Sequence, residues 1–186
     1  MSEEGFTLFD TAIGRCAIAW GARGVIAVGL PERSDAATRT RLARRAPDAQ
    51  EGPPPPDVQR TIDGIVALLR GERTDLSAVA VDMARVPSFN RNVYAVARTI
   101  RAGATMTYGE IATRLGDPAA ARDVGQAMGQ NPFPIIVPCH RVLAANGKLG
   151  GFSANGGTKT KLRLLTIEDA RTSDEPTLFD VAQRVP

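Results

Sequence analysis

The stretch Asn131-Pro132-Phe133-Pro134-Ile135-Ile136-Val137-Pro138-Cys139-His140-Arg141-Val142 decides how the rest of the chain is read. Three prolines within residues 132–138 exclude regular helix and central strand, so the backbone here is a rigid, specially shaped connection. Rigid irregular backbone around a Cys-His pair has the character of a site. Cys139 is the strongest nucleophile the chain offers, but a thiol with an ordinary pKa of about 8.5 needs help near neutral pH. His140 is the only histidine. Adjacent side chains do not normally face each other, so His140 serves as a base only through a water or a bent backbone. A bare Cys-His dipeptide is more often incidental than catalytic, and the surroundings decide.

Upstream of this stretch the pattern is helical. Ser88 is expected to cap a helix carrying Phe89, Val93, Val96 and Ile100 on one face. Thr107 with Glu110 forms a capping box that opens a short helix through Ile111 to Leu115, and Gly116 breaks it. Asp117-Pro118 reads as N-cap and first position of a third helix, from Ala119 to about Met128. Three helices with a tight turn between the last two outline a helix-turn-helix. The third helix carries Ala119, Ala120, Ala121, Gly125, Ala127 and Gly129, which let its backbone come very close to another surface. Close helix–helix packing is the plain alternative. Downstream, the Asn146-Gly147 turn and the run Leu149–Ser153 lead to a final helix from Thr158 to about Asp169.

The first thirty residues read as a three-stranded antiparallel meander: Phe6–Asp10, Gly14–Trp20 and Val25–Leu30, stopped by Pro31. Cys16, Ile18 and Trp20 share one face of the second strand, with small alanines on the other. Ser34 or Asp35 caps an Arg-rich helix to about Arg45, and Pro53–Pro56 is a stiff connector. Val58, Ile62, Ile65 and Leu69 recur at helical spacing until Gly71, and Ala78–Val81 reads as one more strand.

Composition bounds the possibilities. The 186 residues are 43% hydrophobic and 23% charged, enough for one full core and far from a disordered composition. No apolar run approaches the roughly 20 residues that span a bilayer. The acidic start Met-Ser-Glu-Glu is unlike a secretory signal, so a non-secreted, soluble protein is expected. Two cysteines, Cys16 and Cys139, make no disulfide framework, and with one histidine they cannot fill a four-ligand zinc site. The net charge of +3 is unevenly spread: residues 87–170 hold 10 basic against 5 acidic side chains, while residues 1–86 hold 11 against 12. A basic C-terminal half suits a polyanion such as nucleic acid, or is simply an Arg-rich solvated surface.

The Pro138–Val142 element, with Asn131-Pro132 before it and Gly150-Gly151-Phe152-Ser153 after it, resembles the O6-alkylguanine-DNA alkyltransferases, or methylated-DNA–protein-cysteine methyltransferases. The resemblance extends through Thr107–Ala112, Ala120–Gly125, Lys161, Leu164-Leu165 and Glu168. It is strong over residues 88–169 and weaker over 6–82, where Phe9-Asp10-Thr11, Gly14 and Gly24 to Leu30-Pro31 agree.

What the resemblance implies is specific. The fold would be α+β: an N-terminal ribonuclease-H-like antiparallel sheet with helices (1–82), a winged-helix-like helix-turn-helix domain (87–170) and a tail (171–186). Cys139 would accept the alkyl group from O6 of a damaged guanine, and O4-alkylthymine is the other substrate to consider. His140 would take the thiol proton through a water, Glu168 would orient His140, and Asn131 would brace the turn. Tyr108 would help protonate the departing guanine and rotate the nucleotide out, and Arg122 would enter the stack in its place. Gly109, Asn90, Ala121, Gly125 and Met128 would complete the DNA contact. Pro134, Val142, Phe152 and Ser153 would line the base pocket. An alkyl group on O6 is inaccessible inside a duplex, so the base must be extruded. A helix of small residues can enter the narrow minor groove, which reads lesions rather than sequence. A thioether is inert and no second nucleophile or cofactor motif is present, so each molecule would act once.

Double-stranded DNA is therefore the expected partner, with no cofactor, metal or membrane; a cytoplasmic monomer, nucleoid-associated if bacterial, is expected. Thr177-Leu178-Phe179 faintly resembles a sliding-clamp-binding peptide, against the plain alternative of a packed or frayed end. The chain departs from the family pattern at Phe152, where many members have tyrosine, and in a Ser153–Gly157 loop two residues longer than the common form. It also lacks the N-terminal zinc ligands of some members. The rival readings are a non-enzymatic lesion-sensing protein of the same fold, which Cys139 opposes, and a thiol hydrolase that turns over repeatedly.

Overall fold

The computed structural model describes residues 4–172. The expected meander is present as β1 (Gly5–Thr11), β2 (Gly14–Gly21) and β3 (Gly24–Gly29). Gly24 closes the β2–β3 turn at φ +110°, where a Cβ would strike the carbonyl of Ala80. Alternation along β2 sorts the sheet faces as expected: Cys16, Ile18 and Trp20 join the main core, and Ala17 and Ala19 face a smaller cluster with Leu42.

That smaller cluster is closed by α1 (Asp35–Ala43), capped by the Ser34 hydroxyl accepting from the Ala37 N–H. A two-residue strand, β4 (Gln50–Glu51), pairs parallel to β1 and gives the order β3-β2-β1-β4. Two exposed polar residues before a proline run carry no strand signal, and sequence reading missed them. Pro56, last of the four prolines, begins α2 (Pro56–Leu69) instead of belonging to the connector, as its missing N–H allows at a first helical position. The strand expected at Ala78–Val81 is a single parallel bridge, Val25 to Val81, because among the described strands only Val25 exchanges backbone hydrogen bonds with this segment.

The C-terminal half opens with α3 (Ser88–Ala97). Ser88 is its first residue and makes no capping bond; Pro87 stands at the N-cap. The buried stripe is Asn90, Val93, Tyr94 and Ala97, and Phe89 is 37% exposed, so the inward face lies one residue from that expected. Tyr94 explains the rotation. Its buried hydroxyl donates to the carbonyl of Ala127 at 2.8 Å, turning that face toward the helix that holds Ala127. Removing one neutral buried hydrogen bond costs about 1 kcal/mol, so Tyr94→Phe is expected to lower the thermal midpoint by roughly 2–4 °C in a denaturation scan. An unchanged midpoint would mean that this bond does not orient α3.

A two-stranded parallel pair, β5 (Met106–Thr107) with β6 (Val142–Leu143), joins the helical region to the segment just after Cys139. The capping box is complete: Glu110 N–H donates to Thr107 Oγ1 at 3.1 Å and Thr107 N–H to Glu110 Oε2 at 2.6 Å. It starts α4 (Tyr108–Arg114) directly from β5. Asp117 caps a single 3₁₀ turn, Pro118–Ala120, ahead of α5 (Ala121–Gly129), so the expected third helix begins two residues late. The last helix among the described residues is α6 (Thr158–Ile167), which packs against the Cys139 turn. One continuous core runs from Ile18 and Ile65 through Val93 and Ile111 to Leu164. Among the described residues no helix is long and apolar enough to cross a membrane.

Candidate active site

The proline-rich connection is held from both sides. Asn131 spans it, accepting from the Phe133 N–H through Oδ1 and donating through Nδ2 to the Val137 carbonyl, both at 2.9 Å. From the sheet, the Val28 N–H on edge strand β3 donates to the Pro132 carbonyl at 2.9 Å. Ile135 lies at φ +73°, a strained conformation for a β-branched side chain, and persists because its surroundings fix it. Phe133, Ile135, Ile136 and Val137 are all buried.

Cys139–Arg141 is one turn of 3₁₀ helix. Three residues per turn send successive side chains about 120° apart, which resolves the adjacency problem. Cys139, 8% exposed, reaches a cleft lined also by Met128, Gly129, Asn131, Pro134, Phe152 and Ser153. His140, 1% exposed, points inward. Its Nε2 donates to Glu168 Oε1 at 2.8 Å, and its buried Nδ1 has no hydrogen-bond partner among the described residues. Arg141 is also buried and holds the same carboxylate.

The electrostatics follow from burial. Desolvation pushes the Cys139 thiol up, opposed by the Asn131 hydrogen bond and the Lys161 charge, so the resting sulfur keeps its proton. Desolvation likewise pulls His140 down, against the attraction of Glu168. Burial alone would raise the Glu168 carboxyl, but hydrogen bonds from His140 and Arg141 bring it to about 2. The arrangement is a protonated nucleophile beside a neutral base backed by an ionised carboxylate. Such a set can activate a thiol at the moment of attack.

The other expected site residues are distributed as follows. Pro134, Phe152 and Ser153 line the cleft with Cys139. Val142 is fully buried behind it, its carbonyl accepting from Lys161 Nζ at 2.5 Å, and it does not line the cleft. Tyr108 opens α4, half-buried against Gly150 and Gly125, with Lys161 Nζ 5.7 Å from its ring centre. Burial raises its phenol, and proximity to Cys139 adds to this. Arg122 is exposed near the start of α5, and Ala121 and Gly125 are partly covered on the same helix. Gly109 is half-exposed in α4. Asn90 is buried and donates to Gln130 Oε1 at 3.0 Å.

Three contributors went unassigned by sequence reading. Arg41 in α1 and Arg45 just past its end reach the cleft, and Arg41 donates to the Ser153 carbonyl at 2.8 Å. Lys161 is fully buried, and desolvation lowers it to about 8. A signal for Lys161 did exist. Lys161, Leu164, Leu165 and Glu168 follow the i, i+3, i+4, i+7 stripe of a buried face, where charges need a reason. Among the described residues, no group of three or more His, Cys, Asp or Glu side chains is placed to hold a metal ion.

Comparison with known proteins converges on one family. The model of the 6-O-methylguanine DNA methyltransferase DNA-binding domain matches residues 88–170. A methylated-DNA–protein-cysteine methyltransferase of Mycobacterium tuberculosis is 44% identical over 128 residues, 69% of this chain and 75% of that protein. One from Methanothermobacter thermautotrophicus is 33% identical over 151 residues, 81% of this chain and 77% of that protein. The crystal structure of the M. tuberculosis O6-methylguanine methyltransferase superposes with a TM-score of 0.73 at 35% identity, covering 95% of this chain and 99% of that one. The structure of M. tuberculosis OGT in complex with DNA gives 0.71 at 36% identity with the same coverage. With this mixed α+β fold and a cysteine–histidine–glutamate site at its cleft, the chain belongs to the methylated-DNA–protein-cysteine methyltransferase family.

Proposed function

We infer that this protein repairs O6-alkylguanine in DNA by moving the alkyl group onto Cys139. The observation that carries the reading is the 2.8 Å His140–Glu168 hydrogen bond set directly behind a cysteine that opens into a cleft. In the step, Cys139 Sγ bonds to the alkyl carbon as that carbon's bond to O6 breaks. The thiol proton passes through a water to His140 Nδ1, and the guanine leaves with a proton that Tyr108 helps deliver. Asn131 keeps the sulfur at the cleft, and Pro134, Phe152 and Ser153 form the walls against which the extruded base rests.

Residues 87–170 form the DNA-binding and catalytic domain in this reading, with α4 and α5 as a winged-helix-like helix-turn-helix. Residues 1–82 form a ribonuclease-H-like domain beside it. The small-residue face of α5, with Ala121 and Gly125, enters the minor groove with little sequence preference, and Tyr108, Gly109, Arg122 and Met128 complete the contact. Asn90 acts from behind, through Gln130 at the end of α5. The protein works as a cytoplasmic monomer. The Thr177–Phe179 clamp-like peptide lies outside the described residues.

Stoichiometry tests the reading against both rivals. Titrating the protein with an excess of O6-methylguanine duplex should give repaired lesions that plateau at one per protein molecule. Continued turnover would mean a thiol hydrolase. Tight binding with no repaired guanine would mean a lesion sensor.

A further inference from the structure

Arg141 touches no part of the cleft, yet it is the side chain bound most tightly to the machinery behind it. Its Nε donates to Glu168 Oε2 and its Nη2 to Glu168 Oε1, each at 2.8 Å, and Nη1 donates to the Ile100 carbonyl at 2.5 Å. It is only 7% exposed. Glu168 Oε1 thus accepts from both Arg141 Nη2 and His140 Nε2. A planar guanidinium gripping a carboxylate at two points fixes its orientation as a point charge cannot.

The charge balance matters as much as the geometry. A buried carboxylate paired with imidazole alone would favour the imidazolium, whose two ring nitrogens both carry protons and cannot accept another. Arg141 already supplies the carboxylate's countercharge, so the imidazole need not. The other groups facing His140 are Lys161 from α6 and Cys139 on its own turn. Lys161 is a second cation, but its Nζ is bonded to the Val142 carbonyl and not to Glu168. On another side, the exposed Asp75 also feels the Arg141 charge.

We propose that Arg141 is a positioning residue whose two-point grip orients Glu168 and balances its charge, so that His140 rests neutral with its proton on Nε2. Nδ1 then keeps the lone pair that takes the Cys139 proton, and Glu168 steadies the imidazolium that forms. The consequence for rate rests on the alkyl-transfer reading; the resting protonation state does not.

A single histidine makes the test direct, because the imidazole ¹⁵N–¹H spectrum contains one side chain. The wild-type protein should show the neutral Nε2–H tautomer from about pH 6 to 8. An imidazolium, or an Nδ1–H tautomer, at neutral pH would overturn the proposal whatever the variants do. In Arg141→Met the imidazole should titrate at least about one pH unit higher, a tenfold gain in proton affinity, while Arg141→Lys should stay near wild type. If Arg141→Met does not fold, Arg141→Gln replaces it, keeping donors without charge. A folded, uncharged variant whose imidazole titrates as in the wild type would overturn the proposal. In the alkylation rate, the uncharged variant's loss between pH 8 and pH 6 should follow the pH at which its own imidazole titrates, and a uniform loss at all pH would mark Arg141 as merely structural. Absence of alkyl transfer in the wild-type protein would refute the functional reading while leaving the imidazole result intact.

Discussion

Cys139→Ser is expected to abolish alkyl transfer and to leave duplex binding in place. A serine hydroxyl is a far weaker nucleophile than a thiol and a far weaker acid, and the His140–Glu168 pair is arranged to remove a proton from a thiol. The exposed part of α5 that is read as the DNA contact does not involve the sulfur, so affinity should survive. Nor can the other cysteine substitute. Cys16 is fully buried in β2, and desolvation pushes its thiol up to about 12, against the lowering effect of a contact with Thr11 Oγ1. Radiolabel transfer from O6-methylguanine duplex, measured beside a gel-shift titration, checks both halves. Residual transfer by Cys139→Ser would assign the acceptor elsewhere, and lost binding would show that the thiol shapes the interface.

Arg122→Ala should slow repair of duplex DNA by roughly 10–100-fold while leaving reaction with free O6-benzylguanine near the wild-type rate. Arg122 is exposed near the start of α5 and makes no ion pair among the described residues. Filling the gap left by an extruded guanine offsets an unstacking cost on the order of a few kcal/mol. Losing ~1.4–2.8 kcal/mol of that compensation gives the stated range. A free base needs no flipping and escapes the penalty. Equal losses on the two substrates would place Arg122 in support of the fold or the cleft and withdraw its role in the stack.

Local signals with short reach carried most of the reading. The Thr107–Glu110 capping box, the alternation of β2 and the rigidity of 131–138 each depend on a few neighbouring residues, and each stands in the structure as expected. What sequence could not supply depends on distant partners. The face of α3 is set by one hydroxyl on Tyr94 finding a carbonyl 33 residues away. Residues 50–51 become strand only because β1 has a free edge, and 78–81 fail to because β3 offers a single bridging residue. At the site, Cys139 and His140 were visible as a pair, but their divergence needed the 3₁₀ turn. Arg141 stood in the quoted Pro138–Val142 element without a role of its own; its burial follows from Glu168, which arrives 27 residues later. Val142 was expected in the pocket wall and is turned away from it, because β6 pairing with β5 commits its backbone.

The central claim is that Cys139 itself carries away the alkyl group. Mass spectrometry of the intact and digested protein after reaction with O6-methylguanine duplex tests it most directly. The expected result is a gain of one methylene mass, located on Cys139, in proportion to the guanine restored. Restored guanine with an unmodified Cys139, or the added mass on any other residue, would contradict it.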